Sequence, residues 1–154
     1  MKTTSIASLI GTWGFCAAAS LIVVSSYFGL LSAVPVSVAI TLWVMAVLCL
    51  ILGIRIKSRI EENKIGLDRS QLNPLSAAMF LVIGKASAWT GAIFGGVYTG
   101  MGIYVLMQYK QLAAAADEAP VVIAAALGGI AMSVGGAFLE RNCSVPPPTD
   151  GEPA

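Results

Sequence analysis

The sequence predicts an all-α integral membrane fold: a four-helix bundle with short loops, its helix 3 long and tilted or extended into the cytoplasmic interface. Two observations predict it. Apolar residues gather into four long runs, and almost every charge lies between them. Spans are read at about 5–31, 36–54, 80–108 and 120–139, each near or above the roughly 20 residues that a bilayer crossing needs. Of the 154 residues, 57% are hydrophobic and 11% charged, against about 25% charged in a soluble domain. So short a chain could not hide that much apolar surface in a soluble core. The four-span domain covers residues 1–142, and residues 143–154 form a tail.

The first span opens after Lys2 and passes Ala17-Ala18-Ala19, which invites comparison with a cleaved signal peptide. Apolar character continues to Leu31, well beyond a short h-region, and favours a retained span. The turn Phe28-Gly29-Leu30-Leu31-Ser32-Ala33-Val34-Pro35 is short, uncharged and punctuated by Gly and Pro, as a tight helical hairpin requires. Pro35 suits the first turn of the second helix, where a missing N–H costs nothing.

The second span runs into Arg55-Ile56-Lys57-Ser58-Arg59-Ile60-Glu61-Glu62. Lys57 and Glu61 are spaced i,i+4, so the helix is expected to continue into water and stop before Gly66. Asn73-Pro74 then reads as N-cap and first residue of the third helix. That apolar segment exceeds thirty residues. At about 1.5 Å per residue it is longer than one untilted crossing of about 30 Å. A linker over residues 109–119 carries Lys110 and Asp117-Glu118, and the fourth span follows from Pro120. The tail, rich in Pro and short of apolar residues, is expected to be disordered.

Basic residues orient the chain. Lys2, Arg55, Lys57, Arg59, Lys64, Arg69 and Arg141 fall on one side and Lys110 alone on the other, seven against one. By the positive-inside rule both termini and the central loop are expected in the cytoplasm.

Small residues form stripes in the last two spans. The third carries Gly84, Ala88, Gly91, Gly95, Thr99 and Gly102, beside Ala88, Ala92, Gly96 and Gly100. The fourth carries Ala124, Gly128, Ala131 and Gly135, beside Gly129 and Gly136. In lipid such residues let backbones approach, so helices three and four are expected to pack closely through them, within one chain or across a homodimer.

Lys85 is the one ionisable residue inside an apolar run. Counting about 20 residues back from Leu106 puts it near the cytoplasmic interface. The same count from Pro120 brings Leu139 and Glu140 to that depth, with Arg141 next in the chain. Lys85, Glu140 and Arg141 are therefore the candidate site, either as an interfacial ion pair of Lys85 with Glu140 or as a lipid-headgroup site.

Other chemistries lack their residues. The chain has no histidine, which removes the commonest general base and metal ligand. Cys16, Cys49 and Cys143 have no metal or redox spacing, and the first two read as small apolar filler. No catalytic constellation, cofactor or metal is expected, and a formal net charge of +1 implies no nucleic-acid partner.

Two stretches carry a family resemblance. Asn73-Pro74 leads to Gly84-Lys85-Ala86-Ser87-Ala88 with its glycine stripe, and the last span ends Phe138-Leu139-Glu140-Arg141-Asn142-Cys143-Ser144-Val145-Pro146-Pro147. Together they resemble an actinobacterial membrane family, domain of unknown function thirty-one-eighty. Its members are short four-span proteins often encoded near folate-biosynthesis genes. Its Leu-Glu-Arg-x-Cys-like motif is followed by a basic residue, where this chain has Ser144. The resemblance implies a fold and a lineage but no activity. The leading function class is an accessory or scaffold subunit of a cell-envelope or membrane assembly. The alternative is a small transporter or flippase for a lipid or small metabolite. A proton-coupled exporter of the small multidrug resistance type is disfavoured, because no carboxylate lies within the spans.

Overall fold

The computed structural model describes residues 4–27, 34–62, 74–109 and 113–143. They form four helices: α1 (Ile6–Tyr27), α2 (Val36–Glu62), α3 (Pro74–Gln108) and α4 (Ala113–Cys143). There is no strand among the described residues. Each helix is long and apolar enough to cross a membrane, as the four apolar runs require. The expected first turn and C-terminal tail lie largely on residues 28–33 and 144–154, and the expected N-cap Asn73 on 63–73, outside the described ones.

Local signals account for most helix ends. The Ser5 carbonyl accepts from the amides of Ser8 and Leu9, which starts α1. Pro35 precedes α2, its carbonyl accepting from Val38 N–H at 3.1 Å, and α2 continues past the apolar run to Glu62. At 35 residues, α3 is about 52 Å long, so it extends well beyond a hydrocarbon core of about 30 Å.

One boundary differs from expectation. Residues 113–119 belong to α4, and Pro120 lies inside that helix rather than at its start. The Ala113–Ala116 tract favours helix strongly enough to outweigh the loss. Pro120 removes only the one backbone bond that residue 116 would have accepted.

Small side chains fill much of the interior, beside a few larger ones such as Leu139 and Val122, and many large apolar ones lie outside. Ala88, Ala125, Ala46 and Cys49 are almost wholly buried, while Ile22, Ile54, Val82 and Val134 are at least 60% exposed. Such an inversion suits a hydrocarbon solvent. Lipid covers the large apolar residues, and small ones let the helices meet.

The central pair is α3 with α4, α1 packs on α3, and α2 packs on α4. Helices α1 and α2 do not pack along one another. Around α4, Gly129 and Gly136 meet α3 and Gly128 and Gly135 meet α2, while Ile130 and Ala137 face a cleft shared with α1. Successive helix residues turn by about 100°, so α1 and α2 lie on opposite faces of the central pair.

The glycines show how close the central helices come. A Cβ on Gly129 would lie 2.5 Å from Gly95 Cα, and one on Gly84 would lie 2.8 Å from the Glu140 amide nitrogen. Gly91 and Gly95 likewise face α4 backbone. The remaining stripes sort differently from the expectation that all of them join helices three and four. Gly96 and Gly100 meet α1 at Trp13 and Ala17, and Gly128 and Gly135 meet α2 at Trp43 and Ala46. The reason is geometric: a helix flanked by two neighbours needs two narrow faces, about 100° apart.

Two hydrogen bonds fasten the outer helices. Ser20 Oγ donates to the Val97 carbonyl at 2.8 Å, joining α1 to α3. Trp43 Nε1 donates to the Ala124 carbonyl at 3.0 Å, joining α2 to α4.

Candidate functional site

The polar centre of the molecule lies where α1 begins and α4 ends. Gly84 and Gly136 bring α3 and α4 into backbone contact there, and Glu140 on the last turn of α4 is left only 3% exposed. Its Oε1 accepts from the backbone N–H of Thr4 at 2.7 Å. Thr4 lies two residues before α1, so the carboxylate sits beside that helix's N-terminal end, which carries partial positive charge. The α1 helix has no acidic residue in its own first turn, so Glu140 supplies the anion from another helix.

Lys85 does stand at the depth of Glu140, since its neighbour Gly84 touches the Glu140 backbone. Glu140 is nevertheless bonded to Thr4, and the structure shows no ion pair between Lys85 and Glu140 among the described residues. Lys85 is half-buried and Arg141 exposed. Thr4 Oγ1 and Asn142 Nδ2 are buried at this end without a hydrogen-bond partner.

Beside this cluster a cleft of about 540 Å³ runs between α1 and α4, with Ala92 of α3 behind it. Ile6 and Ile10 form one wall, Val134 and Ala137 the other, and Arg141 stands at the end near Glu140. The volume is that of an ordinary small-molecule pocket, about 300–1,000 Å³. Ser133 is the one uncharged polar side chain in a lining that is otherwise apolar apart from Arg141 and the indole of Trp13. No group of three or more metal-ligating side chains occurs among the described residues.

Residues 9–147 match the model of a family described as protein of unknown function, DUF3180. The chain belongs to the DUF3180 family. No curated protein and no solved structure matches it. In this DUF3180 protein the matched region contains Lys85, Glu140, Arg141 and every glycine of the helix contacts, whereas Thr4 lies before it.

The sequence reading missed the cleft and the partner of Glu140. The second had a signal: a helix whose first turn lacks an acid, and one acid at the end of an apolar run. The cleft had none, because it depends on which face of α4 is left uncovered by α3 and α2.

Proposed function

We propose that this protein is a non-enzymatic accessory or scaffold subunit of a membrane assembly, in the bacterial cytoplasmic membrane with both termini cytoplasmic. The observation that carries the reading is how the glycine stripes are used. Gly84, Gly91, Gly95 and Gly129 are filled by the backbone of the facing helix, so they hold helices together and line no conduit between α3 and α4. The large apolar residues point outward from all four helices, which leaves broad faces for lipid or for another membrane protein. The orientation rests on the seven-to-one division of basic residues.

Co-purification in mild detergent tests the proposal. A second membrane protein retained at fixed stoichiometry through two purification steps supports it. A chain that purifies alone and is stabilised by a small solute or lipid points to the other reading, a small transporter or flippase. The cleft between α1 and α4 is the observation that favours this second reading.

A further inference from the structure

We infer that Lys85 binds the phosphate of an anionic phospholipid at the foot of α1. The proposal goes beyond the scaffold reading and holds whether or not the chain has a protein partner. It starts from the face of α3 that the lysine occupies. Lys85, Trp89, Ala92 and Gly96 follow one another at spacings of four, three and four, so they share one side of the helix. Trp89 packs on the cluster of Leu9 and Ala92, and Gly96 meets Trp13, so that side faces α1. The two helices run in the same direction, since Gly96 meets Trp13 and Gly100 meets Ala17. Lys85 lies eleven residues before Gly96, whereas α1 begins at Ile6, only seven before Trp13. The lysine therefore stands about one turn beyond the start of α1, which leaves it half-buried.

The second observation is charge. Lys85 has no ion pair or hydrogen bond among the described residues. Glu140, at its depth, accepts from the Thr4 amide, and Arg141 has an interaction of its own. A cation within an apolar run is ordinarily paired, and no described residue supplies the counterion of Lys85. Its surroundings decide what does. Val82, Ile83 and Ala86 beside it are exposed, on a face that lipid covers. Trp89, one turn further in, suits the boundary between hydrocarbon and headgroups. A lipid phosphate is the anion that resides at that depth, and an ammonium binds it as a point charge.

The test is lipid analysis of the full chain extracted in mild detergent from vesicles of equal parts phosphatidylglycerol and phosphatidylcholine. One basic residue near a membrane surface contributes about 1 kcal/mol, so the wild type is expected to retain phosphatidylglycerol about fivefold over phosphatidylcholine. Lys85→Arg keeps the charge and should keep the preference. Lys85→Met and Lys85→Gln should each lose it, and the second keeps the test valid if the first fails to fold. Arg55→Gln removes an exposed cation near the same end of the bundle and should leave the preference intact. A preference that is absent from the wild type, or that survives in a folded uncharged variant, would overturn the proposal, the lysine then only reaching into water. So would an equal loss in Arg55→Gln, which would make the effect one of overall charge. Loss of the wild-type preference on adding inorganic phosphate at constant ionic strength would overturn it in favour of a soluble anion.

Discussion

The Thr4 amide donates to Glu140 Oε1 at 2.7 Å, so the start of α1 is held by the end of α4. The two residues are 136 positions apart, and Glu140 is buried. The bond answers two needs at once: the backbone N–H of Thr4, two residues before α1, gains an acceptor, and a desolvated carboxylate gains a donor beside a helix N-terminus.

Removing the acceptor should be costly. Glu140→Ala is expected to destabilise the protein by about 1–3 kcal/mol, and Glu140→Gln, which keeps an oxygen for Thr4, by less. Thermal unfolding in detergent ranks the two. An alanine variant as stable as the wild type would mean that the Thr4 contact contributes nothing.

Lys85 should behave independently of Glu140. No ion pair joins them among the described residues, so Lys85→Met combined with Glu140→Gln is expected to be additive within about 0.5 kcal/mol. A larger coupling in a double-mutant cycle would show that the lysine reaches the carboxylate in the membrane.

Glycine substitutions should divide by what the added methyl meets. Gly129→Ala pushes a Cβ into Gly95 and should cost about 1–3 kcal/mol through overpacking. Gly11 has open space around it, so Gly11→Ala should be neutral or stabilising by up to about 1 kcal/mol. Equal melting temperatures for the two would refute close backbone contact between α3 and α4.

The outer helices should loosen separately. Ser20→Ala removes the bond from α1 to α3, and Trp43→Phe removes the bond from α2 to α4. Hydrogen bonds between helices in a bilayer contribute about 0.6 kcal/mol on average. Cysteine accessibility on α1 should rise in the first variant only, and on α2 in the second only. A matching rise on both helices in either variant would contradict independent docking.

Topology is open to direct measurement. Reporter fusions after Ala154 and within the segment from Lys110 to Glu118 should report opposite sides of the membrane, the first cytoplasmic. An external report from Ala154 would reverse the orientation inferred from the basic residues.

Helix count and approximate extent were legible because bilayer thickness dictates the length of an apolar run, and charges such as Arg55 and Lys110 mark its limits. Close contact of α3 with α4 was legible from Gly84, Gly91 and Gly95. The partners of Gly96, Gly100, Gly128 and Gly135 were not. In a helix with small residues on several faces, periodicity says that a face is narrow but not which neighbour takes it. The Lys85–Glu140 pairing was argued from equal depth, which the contact of Gly84 with Glu140 bears out. Depth alone could not reveal that the backbone leading into α1, at Thr4, would arrive at the same place.

The placement of α1 and α2 on opposite faces of the central pair has a consequence for biogenesis. Of these four helices, the two made earlier cannot complete each other. Each docks on a helix made later, α1 on α3 and α2 on α4. Until then both must persist in lipid as single spans, and both are more apolar than α3. The arrival of α3, the helix richest in glycine contacts, lets α1 dock, whereas α2 waits for α4, so truncation after α2 would leave two inserted helices and no fold.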